Sequence, residues 1–172
     1  MTAVRGERPE DVPAIRQVNE RAFGQPLEAD IVDKLRRTCE GLLSLVAADG
    51  DRVVGHILFS PATVERQGCT VLQGMGLAPM AVLPEYQRQG VGSLLVREGL
   101  RMLWASACPF VIVLGHPEYY PRFGFQRASK YGLTSQWEGV PDEAFMVLAF
   151  DDSAMKNVSG VARYQSEFDE AM

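Results

Sequence analysis

Cysteine is scarce in this chain and carries no pattern. Cys39, Cys69 and Cys108 are an odd, scattered set. They make no metal-ligand spacing and suit a reducing cytoplasm. Long apolar runs are missing too, so no segment is expected to span a bilayer. The first residues, Thr2 to Arg8, are charged and lack a secretory apolar core, which again points to a cytoplasmic protein. Positive charge is not in excess: 17 Lys and Arg stand against 22 Asp and Glu, a net charge of −5. That argues against a nucleic-acid-binding surface and is compatible with a cationic amine as substrate. Internal repeats and low-complexity segments are absent.

The chain has enough apolar residues, 47% of 172, to bury a sizeable core. One domain is expected over residues 1–150. The tail, 151–172, is polar and expected to pack on that domain or on a partner chain, a homodimer being one such arrangement. The N-terminal residues suit a short edge strand. Pro9-Glu10-Asp11 reads as a helix start, with proline first and acid in the first turn. Val12, Ile15, Ala22 and Phe23 then mark one helical face, ended by Gly24 and Pro26. A second helix is expected from Leu27 to Thr38, with Leu27, Ile31 and Leu35 inward and Asp30 spaced to pair with Lys34. Leu42–Ala48 and Arg52–Ser60 read as strands joined at Asp49-Gly50, a hairpin signal. A turn at Gln67-Gly68 leads into a long strand ending at Leu83. Gly74, Gly76 and Pro79 make that strand irregular, with a bulge expected near the proline.

Pro84 ends the strand, and Glu85-Tyr86-Gln87-Arg88-Gln89-Gly90-Val91-Gly92-Ser93 follows as a polar turn. Helical spacing then takes over at Val91, Leu94, Leu95, Met102 and Leu103. A helix N-terminus offers unpaired N–H groups and the positive end of the macrodipole. Gly90 and Gly92 leave room for a phosphate to approach them. The turn is neither a Walker loop, since no Lys-Ser/Thr pair follows, nor the dinucleotide fingerprint, since Leu95 stands at its third glycine. Phe110–Leu114 is a continuous apolar run, expected to be a buried strand parallel to the one ending at Leu83 through a right-handed crossover. Phe145–Phe150 reads as a last strand.

Gln87-Arg88-Gln89-Gly90-Val91-Gly92 fits the pattern Gln/Arg-x-x-Gly-x-Gly/Ala of the GNAT superfamily of N-acetyltransferases. Tyr119-Tyr120-Pro121-Arg122-Phe123-Gly124-Phe125 resembles that superfamily's second landmark, aromatic-Tyr-x-x-x-Gly-Phe. The resemblance is strongest between Leu77 and Phe125. The runs Leu77–Gln87 and Gly115–Tyr120 look like its YhbS-like branch. It implies an α/β (mixed α+β) fold: a central, mostly antiparallel sheet flanked by helices, with a splayed parallel strand pair and the first two helices as a lid. It also implies acetyl-CoA as cosubstrate, no metal, and an amine of a small molecule or protein as acceptor.

The resemblance carries residue roles with it. Main-chain N–H groups of Arg88, Gln89, Gly90, Val91, Gly92 and Ser93 would hold the coenzyme A pyrophosphate. The pantetheine arm would lie along Ala81, Val82 and Leu83 as an added strand. The N–H of Met80 would face the thioester oxygen. Arg97 or Arg101 would meet the ribose phosphate. Tyr120 would protonate the departing thiolate, a phenol of pKa about 10 serving a thiol of about 8.5. Tyr119 takes the motif's packing position. His56, His116, Glu118 and Glu85 are candidate bases, and a water-mediated scheme needs none of them. Gly115-His116-Pro117-Glu118 departs from the family's longer helix, often with an Asn that contacts the cofactor. A module of the same fold that binds acyl-CoA without turnover is the alternative reading.

Overall fold

The computed structural model describes residues 1–172. Contacts divide the chain into two units: residues 1–59, 78–102 and 167–171, and residues 60–77, 103–166 and 172.

In the first unit β1 (Thr2–Gly6) pairs antiparallel with β2 (Leu43–Asp49), and β2 with the first half of β3 (Arg52–Arg66). The hairpin turn falls one residue later than the Asp49-Gly50 signal suggests. Asp49 still pairs with Arg52, and Gly50 takes the left-handed conformation. A single 3-10 turn, Pro9–Asp11, opens helix α1 (Val12–Phe23). Its anchor is Asp11, whose carboxylate accepts from the Arg8 N–H at 2.8 Å and from Arg5 at 2.6 and 3.0 Å. Gly24, at φ 71°, closes the helix. The inward face of α1 is Ile15, Val18 and Asn19, while Phe23 is 41% exposed, contrary to the expected face. Helix α2 spans Leu27–Thr38, as its spacing predicts. Asp30, however, pairs with Arg16 of α1 at 2.7 Å, and Lys34 with Glu170, so the expected pair within α2 gives way to two longer-range ones.

Strand β4 (Cys69–Val82) enters this unit at Ala78, and the Ala78–Pro79 peptide bond is cis. After it comes α3 (Val91–Ala105). Val91, Leu95, Val96 and Leu100 are buried, and the Phe59 ring fills the space over Gly99. Leu94 and Met102, expected inward from spacing alone, are 45% and 36% exposed. The buried stripe follows i, i+4, i+5 and i+9 from Val91, so these two fall beside it.

In the second unit β4 pairs in parallel with β5 (Phe110–Leu114), with Met75, Gly76 and Leu77 opposite Val111, Ile112 and Val113. Beyond β5 come β6 (Gln126–Arg127), β7 (Leu133–Ser135), β8 (Phe145–Ala149), the short helix α4 (Asp152–Met155) and β9 (Gly160–Arg163). β8 pairs antiparallel with β5 and β6. β9 runs antiparallel to the second half of β3 and parallel to β7. The pairing is therefore mixed and mostly antiparallel, as expected. β3 reaches Arg66, six residues past its expected end, because its second half is paired to β9.

Candidate active site

The phosphate-loop candidate lies in the first unit. Ala81, Val82 and Leu83 are buried and Met80 is half-buried. The Leu83 N–H donates to Val54 O at 2.9 Å, and the Leu83 carbonyl accepts from Tyr86 N–H at 2.8 Å. Both main-chain groups of Leu83 thus fasten the end of β4 and turn the chain into a 3-10 turn, Pro84–Tyr86. Two glutamines then shape the loop. Gln87 Nε2 donates to Val82 O at 2.9 Å, and Gln89 Nε2 to Glu85 O at 3.0 Å. Arg88 and Gly90 sit in the left-handed region, at φ 62° and 85°. A Cβ added at Gly90 would meet nothing within 4 Å, so glycine is needed there for its backbone conformation and not for space. Leu94 N–H donates to Gly90 O at 3.0 Å, which starts α3, so the N–H groups of Val91, Gly92 and Ser93 precede the helical ladder.

Glu85 is fixed by charge. Arg21 of α1 grips its two carboxylate oxygens at 3.0 and 2.9 Å, and Arg52 donates to it at 2.8 Å. The Arg21 hydrogen bonds hold its pKa down to about 2, a poor value for a general base near neutral pH. Tyr86 extends the cluster by donating to Asp49 at 2.9 Å. Arg101 is engaged with Glu98 on α3, and Arg97 is exposed. On the first two helices and their connection, Arg21 is tied to Glu85, and Gln25 donates to Glu28 at 2.9 Å.

His56 is fully buried in the same unit. Its Nδ1 lies 3.1 Å from Asn19 Nδ2 and its Nε2 2.9 Å from Ser44 Oγ. Asn19 Nδ2 also donates to Ile15 O, and Asn19 Oδ1 is buried without a partner. Burial, with Arg36 adding to it, pushes the His56 pKa down to about 3. The neutral ring therefore accepts at Nδ1 and donates from Nε2 to the serine. It is a buried link between β3, β2 and α1.

Tyr120 belongs to the second unit. It is 7% exposed at the start of the 3-10 turn Tyr120–Phe123. Its ring stands edge-on to Tyr119 at 5.1 Å and to Phe125 at 5.7 Å. Gly115 gives it its seat: a Cβ there would lie 2.4 Å from the ring. Burial pushes the phenol above its ordinary pKa, so it stays protonated through neutral pH. His116 and Glu118 are exposed on the link before it.

Sequence reasoning missed a second buried tyrosine of this unit, Tyr164. Its hydroxyl donates to Leu77 O at 3.0 Å and accepts from Leu114 N–H at 3.2 Å. Nothing in the polar run around it distinguishes this residue in sequence.

The strand order and the left-handed loop opening α3 are those of the acyl-CoA-dependent acyltransferase fold. Residues 3–128 match the family model described as an acetyltransferase (GNAT) domain. The uncharacterised N-acetyltransferase YhbS of Escherichia coli K12 is 37% identical over 96% of this chain and 97% of its own length. A crystal structure of E. coli YhbS in complex with CoA superposes with a TM-score of 0.88, covering 98% of this chain and 92% of that one. A GNAT family acetyltransferase from Brucella melitensis, in complex with acetyl-CoA, has a TM-score of 0.78 at 35% identity, covering 98% of both chains. The chain belongs to the GNAT family of acetyltransferases. No helix is long and apolar enough to cross a membrane.

Proposed function

We propose that this protein is an acetyl-CoA-dependent N-acetyltransferase, passing the acetyl group to a primary amine of a small molecule or protein by direct attack in a ternary complex. The observation that carries the proposal is the loop: with Arg88 and Gly90 in the left-handed region, the chain turns after β4 and opens α3 directly, Leu94 N–H donating to Gly90 O. Such a helix end suits a pyrophosphate. In this reading Arg88, Gln89, Gly90, Val91, Gly92 and Ser93 hold the pyrophosphate. Ala81 and Val82 offer main chain to the pantetheine arm, Leu83 fixes the strand end, and the Met80 N–H faces the carbonyl oxygen. The neutral amine bonds to the thioester carbonyl carbon of acetyl-CoA, the C–S bond breaks and the sulfur departs as a thiolate, while water carries off the proton that the nitrogen loses. Tyr120, protonated and buried, gives that sulfur its proton. The CoA and acetyl-CoA complexes of the two relatives support the cofactor, and acceptor-dependent turnover separates the enzyme from a module that only binds acyl-CoA.

Tyr120→Phe tests it. The ring contacts survive, so acetyl-CoA affinity should hold while turnover falls by about 10²–10⁴-fold, the usual worth of a general acid. Turnover is followed as acceptor-dependent thiol release across an amine panel, with Tyr119→Phe as control. Near-wild-type turnover in both variants would remove Tyr120 from the chemistry. Tight acetyl-CoA binding by the unchanged protein, with no acceptor-dependent release from any amine, would favour the binding module.

A further inference from the structure

An open cleft of about 690 Å³ is lined entirely by residues of the second unit. Three segments far apart in sequence build it. They are the end of β3 at Arg66, the 3-10 turn Ala128–Tyr131, and the loop that joins α4 to β9. Its size is that of an ordinary small-molecule site.

The loop is fastened to its neighbours. Arg66 Nε donates to Ser159 O at 3.2 Å, and its Nη2 to Asn157 O at 2.8 Å and Ser159 Oγ at 3.3 Å. Val158 N–H donates to Met155 O at 3.2 Å, and Gly160 N–H to Gly132 O at 3.1 Å. Asn157 sits in the left-handed region at φ 61°, which asparagine tolerates better than most residues. A Cβ added at Gly160 would lie 2.2 Å from Glu65 O, so the loop leaves flush against β3. The wall is therefore formed by contacts within the chain.

That wall carries positive charge and no counter-charge. No Asp or Glu lines it, although the chain has 22 acids against 17 bases. Arg66 uses Nε and Nη2 on neutral oxygens, which leaves its Nη1 without a partner. Lys130 donates to Gln126 Oε1 at 2.8 Å, another neutral acceptor. Glu65, beside Arg66 in sequence, is held by Arg163 at 2.7 Å. Arg127, the other ion-paired arginine of this unit, is bound to Asp142. The remaining lining is partly apolar: Met155 is buried, and Val158 and Tyr131 are half-buried. Two uncompensated cations in one cleft attract an anion, and the apolar lining suits an organic one.

We infer that this cleft is a binding site for a small organic anion, whose carboxylate or phosphate meets Arg66 Nη1 and Lys130 while its apolar part rests on Met155, Val158 and Tyr131. Hydrogen bonds from charged donors to such oxygens are the stronger kind. None of these residues takes part in the acetyl-transfer reading, so the site is tested without acetyl-CoA and independently of it.

The probes are benzoate and phenyl phosphate, with benzamide as the neutral counterpart and inorganic phosphate as the bare anion. Each is titrated into the full chain and followed by amide NMR. At least one of the two organic anions should bind with a Kd of about 1 mM or tighter, and the tighter of them assigns the headgroup. Its shifts should concentrate at Tyr131, Asn157 and Ser159 and weaken as salt is added. Lys130 is exposed, so its variants should fold. Lys130→Gln should lower the affinity by about three- to fivefold, the worth of an exposed ion pair, and Lys130→Glu should lower it further. Absence of shifts at these amides with both organic anions overturns the inference. So does benzamide binding as tightly as benzoate, inorganic phosphate binding as tightly as phenyl phosphate, or unchanged affinity in Lys130→Glu.

Discussion

The buried His56 makes stability depend on pH in a window where no other shifted group interferes. In the unfolded chain a histidine titrates near 6.5, whereas in the fold burial holds the pKa at about 3. A neutral native ring and a protonatable unfolded one mean that the unfolded state binds more protons as pH falls. Stability is therefore complete above about pH 6.5 and declines below it, by about 1.4 kcal/mol per pH unit until pH approaches 3. At about pH 5 the loss is about 2 kcal/mol, a large share of a domain's ordinary margin. The carboxylates Asp11, Asp49, Glu85 and Glu98 are held below their usual range, by Arg5, Tyr86, Arg21 and Arg101 respectively. Their stabilising contributions are lost only at more acid pH. Urea unfolding followed by circular dichroism between about pH 7.5 and 5 reads the slope. His56→Gln, which cannot titrate, lowers stability at every pH but should flatten that slope by about 2 kcal/mol over the same range. Parallel pH curves for the two proteins would refute a neutral buried His56. A wild type that gains stability on acidification would show that the ring is charged in the fold.

Gly92→Glu should weaken acetyl-CoA binding at least about tenfold in calorimetry while leaving the thermal midpoint unchanged or higher, because glutamate is the better helix residue and an acid suits a helix N-terminus; equal affinity would refute the phosphate site. Gly115→Ala should destabilise by about 1–3 kcal/mol in urea unfolding, since the new methyl must displace the Tyr120 ring, and turnover measured on the folded fraction should fall as well. Glu85→Gln should leave turnover intact, and its small effect on stability should vanish in high salt, because its ion pairs are solvent-exposed; abolished turnover would return Glu85 to the list of bases.

Local signals were the legible ones. α2 runs from Leu27 to Thr38 as its spacing predicts, and the strand before the loop and the helix after it lie where Pro84 and Gly90 put them. The details that failed were those set by tertiary partners. Phe23, Leu94 and Met102 fit a helical stripe in sequence, but the covered stripes are Ile15, Val18 and Asn19 on α1 and Val91, Leu95, Val96 and Leu100 on α3. Asp30 and Lys34 are spaced for each other, yet Arg16 and Glu170 hold them. At the candidate site the loop announced itself through glycines, and Tyr120 through its motif. Gly115 as the seat of that ring, and Tyr164 at the end of a ladder, depend on packing between segments far apart in sequence, which leaves no local trace.

The position of Tyr164 also sets an order of events during synthesis. Its hydroxyl meets Leu114 across 50 residues of chain and Leu77 across 87. A nascent chain that has released β4 and β5 can pair them. Until β9 emerges, the Leu114 N–H and the Leu77 carbonyl lack the hydroxyl that bonds them both in the finished fold. A chain that ends after β8 would thus lack both β9 and the phenol that bonds β4 to β5.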